Sequence, residues 1–164
     1  MKSAIVYYSY TGNTKTVAEI LQGYLKDRAE ADIIELRDLQ ETGNFFKQAA
    51  RAFQHQKAEI PEVNFDLSAY DIICFGTPVW AFGPAPALNA YLAKCRGLEE
   101  KPVVLFATYG SGAGLNRCLN YMRVILSEKG ARQFNQFSIQ QFKVKDKELV
   151  LDKIKYILRL WPNG

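Results

Sequence analysis

The sequence predicts an α/β fold, an open sheet of five parallel strands in the order 2-1-3-4-5 with helices on both faces. Three observations carry this reading. The apolar period switches back and forth between strand-like and helix-like segments along the whole length. Three runs, Ala4 to Tyr8, Ile72 to Phe75 and Val103 to Ala107, are continuously apolar, as expected for central strands covered on both sides. Two others, Asp32 to Leu36 and Arg132 to Ile139, contain polar residues at intervals and suit the edges of a sheet.

Each element has its own signature. After strand 1, Val17, Ile20, Leu21, Tyr24 and Leu25 form a helical stripe. Phe45, Phe46, Ala49, Ala50 and Phe53 suggest a helix between strands 2 and 3. Leu88, Leu92 and Cys95 follow strand 3, and Leu115, Leu119, Met122 and Leu126 follow strand 4. Val150, Ile154, Ile157 and Trp161 mark the last of five helices. Ile72 to Ala93 carries no charge and is long enough to span a bilayer, but Gly76, Pro78, Gly83, Pro84 and Pro86 interrupt it. It reads as strand, loop and helix. With right-handed crossovers the order 2-1-3-4-5 reverses between strands 1 and 3, and ligands of such sheets bind beyond the carboxyl ends of the strands at that switch. Chemistry is therefore expected just after Tyr8, Phe75 and Ala107.

Composition narrows the function classes. A chain of 164 residues, 48% hydrophobic and 23% charged, fits one globular domain, 1–164, and excludes disordered, collagenous and disulfide-scaffold classes. The net charge of +4 is spread along the chain; where Lys143, Lys145, Lys147, Lys153, Lys155 and Arg159 concentrate, Asp146, Glu148 and Asp152 interleave, which reads as a solvated helix face and not a nucleic-acid patch. Cys74, Cys95 and Cys118 are isolated, without a CxxC pair, so neither zinc nor dithiol chemistry is expected. His55, the single histidine, sits on a basic flank with Lys47, Arg51 and Lys57 and completes no Ser-His-Asp arrangement. Paired carboxylates do not converge in the predicted loops, which argues against hydrolysis. The apolar run at the amino terminus meets Ser9 and Gly12 too early for a signal-peptide core, so a cytoplasmic protein with reduced thiols and no membrane partner is expected.

Three loops remain as the candidate site. Ser9, Tyr10, Thr11, Gly12, Asn13 and Thr14 open directly into a helix and supply hydroxyls and backbone N–H groups at its positive end, a nest for a phosphate. Lys15 adds a little charge. A plain polar turn with Asn13 or Thr14 as N-cap is the competing reading. The spacing differs from GxxxxGK[ST] and lacks its lysine, and GxGxxG is absent here, so neither a nucleoside triphosphatase nor a dinucleotide fold is indicated. The second loop, Gly76, Thr77, Pro78, Val79, Trp80, Ala81, Phe82, Gly83 and Pro84, displays two large aromatics without charge, suited to stacking a flat apolar ring or simply to packing over the sheet edge. The third, Thr108, Tyr109, Gly110, Ser111, Gly112, Ala113 and Gly114, lets a ligand approach backbone amides closely, with Tyr109 as a cover.

The first loop resembles the phosphate loop of flavodoxins and flavodoxin-like FMN proteins, and Gly76-Thr77-Pro78-Val79-Trp80, followed by a proline-containing helix start, resembles their isoalloxazine loop. The pattern of elements is similar over essentially the whole chain. The resemblance implies a flavodoxin-like three-layer sheet and a tightly, non-covalently bound FMN that shuttles electrons. It is to the short-chain branch, because no insert of about twenty residues splits the fifth strand. This chain departs from electron-carrier flavodoxins in being basic and in lacking an acidic residue in the third loop.

The favoured function is an FMN-dependent electron-transfer protein exchanging electrons with redox partner proteins, in which the flavin does the chemistry and no catalytic side chain is required. The alternative is an FMN-dependent NAD(P)H:quinone-type oxidoreductase. A regulatory domain that has lost its cofactor is disfavoured because the phosphate-loop residue types remain suited to binding.

Overall fold

The computed structural model describes residues 1–39, 50 and 58–159. Of the predicted helix around Phe45 to Phe53 only Ala50 is among them; the rest of it, His55 and Trp161 lie outside the described residues.

The apolar runs became strands whose side chains alternate between two cores. In β1 (Lys2–Tyr8), Ala4, Val6 and Tyr8 face one side and Ile5 and Tyr7 the other, all nearly inaccessible to solvent. The same alternation holds in β3 (Ile72–Trp80), with Ile73 and Phe75 against Ile72 and Cys74, and in β5 (Pro102–Tyr109), with Val103, Leu105 and Ala107 against Val104 and Phe106. Helices α2 (Pro86–Lys94) and α3 (Leu115–Glu128) close the first core with Leu88, Leu92, Leu119, Met122 and Leu126. Helices α1 (Asn13–Lys26) and α4 (Lys147–Arg159) close the second with Val17, Leu21, Leu25, Val150 and Ile154. Each such side chain contributes roughly 1.5–3 kcal/mol by leaving water.

With β2 (Glu30–Leu36) and β6 (Gln133–Gln140), the five parallel strands run in the order β2-β1-β3-β5-β6, which is the predicted order. The polar-interrupted strands are indeed the edges, and β6 is unbroken. A two-residue β4 (Gly83–Pro84) is additional and pairs antiparallel with the end of β3. Among the described residues there are four α-helices, and one 3-10 turn, Gln141–Lys143.

Two local expectations are corrected. The segment from Gly76 to Trp80 is not an irregular loop: β3 continues through it, pairs with β5 as far as Pro78 and Thr108, and then folds back as a hairpin with Val79 opposite Pro84 and Trp80 opposite Gly83. Proline tolerates this place because the strand has left the interior of the ladder. The first helix is capped by neither Asn13 nor Thr14: Gly12 occupies the N-cap with a φ of 87°.

Candidate cofactor site

The carboxyl ends of β1, β3 and β5 converge on a cavity of about 360 Å³. It is lined by Ser9, Tyr10, Thr11, Asn13 and Thr14 from the first loop, by Pro78 to Phe82 from the β3–β4 hairpin, and by Thr108 to Ala113 from the third loop, with Gln141 at its margin. The three segments singled out from the sequence are thus brought together. Gly12, Thr77 and Gly83 stand behind the lining. Among the described residues that line it, none is charged.

At the first loop, the left-handed Gly12 turns the chain so that the N–H groups of the first turn of α1 are presented to the cavity end of the helix, where they lack intrahelical acceptors. The Gly12 carbonyl accepts from the Thr16 N–H and hydroxyl, both at 3.0 Å, and Asn13 Nδ2 donates to Thr11 Oγ1 at 3.2 Å. No acidic residue sits in the first helical turn. The Thr14 and Thr108 hydroxyls, both buried, lie 2.8 Å apart and tie the helix to the end of β5. Ser9 Oγ is buried with no hydrogen-bond partner. An inaccessible hydroxyl without a partner beside a helix N-terminus is a donor waiting for an anion, and the residues present therefore fit a phosphate ester. Lys15 is not part of this cradle: its Nζ pairs with Glu35 at 3.3 Å.

The second wall is the hairpin. Thr77 Oγ1 accepts from the Ala85 N–H at 3.0 Å and donates to the Pro78 carbonyl at 2.9 Å, so this residue ties together the two arms of the hairpin. At the turn, Ala81 and Phe82 take φ values of 43° and 71°, positive at both central positions as in a type I′ turn, without the usual Asn or Gly. Such backbone costs of order 1–2 kcal/mol per residue and is held by its surroundings. Those surroundings include Gly114, the α3 N-cap with a φ of 80°, where a Cβ would stand 2.5 Å from Phe82 Cδ1 and 2.6 Å from its Cα. Phe82 remains 43% exposed at the cavity mouth, whereas Trp80 is 5% exposed, packed edge-on against Tyr8 and Tyr10 with ring centroids 5.6 and 5.5 Å away. Trp80 is a wall of the cavity and a core residue at once.

In the third loop, Gln140 Nε2 donates to the Gly110 carbonyl at 3.2 Å, and Ala113 N–H to Ser111 Oγ at 3.4 Å. Gln141 escaped the reading of the sequence because glutamine after an edge strand carries no chemical signature; its place beyond the end of β6 was the available signal. Burial pushes the thiols of Cys74 and Cys118 up to about 12, and that of Cys95, also mainly through burial, to about 11. Three or more metal-binding side chains do not cluster among the described residues, and no helix among them is long and apolar enough to cross a membrane.

Fold and site together define a flavodoxin-like, FMN-binding flavoprotein. The family described as NADPH-dependent FMN reductase matches residues 1–143, and the chain belongs to it. No curated protein sequence matches. Among solved structures the chain is similar to a flavoprotein from Lactobacillus acidophilus in complex with FMN, at 23% identity and a TM-score of 0.66, covering 90% of this chain and 98% of that one. It is also similar to oxidised flavodoxin 2 from Bacillus cereus, at 19% identity and a TM-score of 0.65, covering 98% and 100%. An NADH:FMN oxidoreductase in its apo form gives 16% identity and a TM-score of 0.65, covering 100% and 92%. At these identities the likenesses speak for the fold.

Proposed function

We propose that the chain is an FMN-dependent oxidoreductase that draws electrons from NADPH or NADH and passes them to a quinone or a redox protein. FMN, when bound, supplies the electron chemistry. The observation that carries the placement is the unpartnered Ser9 hydroxyl beside the N–H groups of α1, which suits the FMN phosphate. Thr11, Asn13 and Thr14 complete that cradle, the hairpin from Pro78 to Phe82 flanks one side of the flavin ring, and Tyr109, Gly110 and Gly112 flank another. Gly12, Thr77 and Gly83 shape the backbone from behind, and Thr108 positions Thr14. The residues bind, orient and shield the ring; none acts as an acid or base. The family description supports a nicotinamide as reductant. A carrier that depends on a separate reductase is the second reading, supported by the same absence of charged groups from the lining.

Purified protein separates them. A yellow spectrum with oxidation of NADPH or NADH that accelerates on adding a quinone supports the oxidoreductase. A yellow protein that stays oxidised with both nucleotides until a separate reductase is added overturns it in favour of the carrier, in a cytoplasmic setting for either reading.

A further inference from the structure

We propose that Gln141 is a specificity-determining residue of the cavity, its side-chain amide recognising the imide edge of the flavin ring, an inference that rests on the FMN reading and names the part of the cofactor this residue reads. The backbone puts it there. Strands β5 and β6 keep their register to the last pair, Tyr109 opposite Gln140, so Gly110 and Gln141 leave the sheet side by side at its carboxyl edge. Gln140 Nε2 holds the third loop to β6 by donating to the Gly110 carbonyl at 3.2 Å. Gln141 opens the 3-10 turn Gln141–Lys143, and Val144 directly after that turn is 2% exposed in the second core, which pins the turn from below. The Gln141 amide lies across Gly110 beside the place a side chain would take: a Cβ built there stands 3.4 Å from Nε2 and 3.9 Å from Cδ. From this position Gln141 lines the cavity.

The rest of the lining leaves this task to Gln141. The Thr14 and Thr108 hydroxyls are given to each other at 2.8 Å, Asn13 Nδ2 to Thr11 Oγ1 at 3.2 Å, and Ser111 Oγ to the Ala113 N–H at 3.4 Å. Pro78, Val79, Ala81 and Phe82 carry no hydrogen-bonding group on their side chains, and Tyr109 offers a single phenolic oxygen. The Gln141 amide makes no hydrogen bond to a described residue. It is also the one lining side chain beyond the first loop that holds a donor and an acceptor in a single plane. A flavin ring is apolar at its dimethylbenzene end and carries a carbonyl, an N–H and a second carbonyl along the opposite edge. The apolar hairpin suits the former. A carboxamide suits the latter, as glutamine suits the edge of adenine through two parallel hydrogen bonds: Oε1 would accept from the imide N–H while Nε2 donates to the carbonyl beside it. A carboxylate at this position would lack a donor for the carbonyl, and an ammonium an acceptor for the N–H.

The test is binding and needs no turnover. FMN and FMN methylated at the imide nitrogen are titrated into the apo protein and followed by flavin fluorescence; the phosphate is common to both, so its contribution cancels in the ratio of the two affinities. The wild type is expected to prefer FMN about tenfold or more. Gln141→Leu keeps the bulk and removes both hydrogen-bonding groups. It is expected to weaken FMN about tenfold, to bind the methylated flavin as the wild type does, and so to lose the preference. Riboflavin should weaken by the same factor as FMN, and the melting temperature of the apo protein should not move. Equal affinity of the wild type for the two flavins would overturn the proposal, as would a Gln141→Leu variant that binds FMN as tightly as before. A preference that survives in Gln141→Leu would assign the imide to backbone groups of the loops, and a loss felt by FMN but not by riboflavin would assign the amide to the phosphate; either result overturns the proposal too. A wild type that quenches no flavin would sink the FMN reading together with this inference, whereas one that binds FMN and riboflavin without the expected preference sinks this inference alone.

Discussion

The hydroxyls of Thr14 and Thr108 meet at 2.8 Å across 94 residues of sequence, buried between the first turn of α1 and the carboxyl end of β5. The two loops of the site are therefore locked to one another from beneath. Thr14→Val and Thr108→Val should each destabilise the apo protein by about 1 kcal/mol or more, because one hydroxyl is left buried without its partner. The double variant should cost less than the sum of the two. Urea unfolding of all four proteins measures this, and strict additivity would show that the pair does not couple.

Ser9→Ala is expected to act in opposite directions on the empty and loaded protein. Removing a buried hydroxyl that has no partner leaves the apo form as stable as before or slightly more stable. Loss of a donor to a phosphate should lower FMN affinity by roughly 1.5–3 kcal/mol and leave riboflavin affinity alone. Fluorescence titration with both flavins checks it; equal losses for the two would remove the phosphate from this loop.

Gly12→Ala tests the same loop through its backbone. Nothing stands near the position of the added Cβ, so the effect is conformational: a φ of 87° costs an L-residue about 1–2 kcal/mol. FMN should bind more weakly than to the wild type and the preference for FMN over riboflavin should shrink, read by the same titration.

Gly114→Ala should be the most disruptive glycine change at the site, since the new methyl would collide with the Cα of Phe82, which cannot swing away as a side-chain tip could. A loss above about 2 kcal/mol is expected from the clash together with the positive φ. Phe82→Gly, by contrast, relieves the φ of 71° and should raise the melting temperature of the apo protein. Differential scanning calorimetry of the two variants reads both signs.

The three thiols should be silent in the native state. Burial raises Cys74 and Cys118 to about 12 and Cys95 to about 11, which leaves little thiolate at pH 8, and all three side chains are inaccessible. Ellman's reagent should react with none of them in the folded protein at pH 8 and with three in urea. Rapid native labelling of one would reveal local opening around it.

What the sequence disclosed depended on how local its physical cause was. The uncharged runs at Ala4, Ile72 and Val103 could only be covered strands, and the polar residues of Asp32 to Leu36 and Arg132 to Ile139 could only be edges, so strand order followed. The β3–β4 hairpin was hidden because Gly76 and Pro78 are strand breakers in isolation, while the turn uses Ala81 and Phe82, neither of which announces a positive φ. That turn exists because Gly114, more than thirty positions on, leaves room for Phe82. Lys15 looked available to a phosphate until β2 placed Glu35 beside it. Trp80 was legible as an aromatic of the site, but its contacts with Tyr8 and Tyr10 depend on the fold.

The neutral lining of the cavity makes it an electrostatically silent mount. No described wall residue is a carboxylate, an imidazole or an amine, so between about pH 5 and 8 no such group of the wall gains or loses charge beneath a bound flavin. Any bend in a plot of reduction potential against pH over that range would then not come from a carboxylate, imidazole or amine of the described wall. Selection acting on this fold has one simple way to retune such a cofactor: a single substitution that puts an ionisable side chain into the wall would add a pH response that the described wall does not supply.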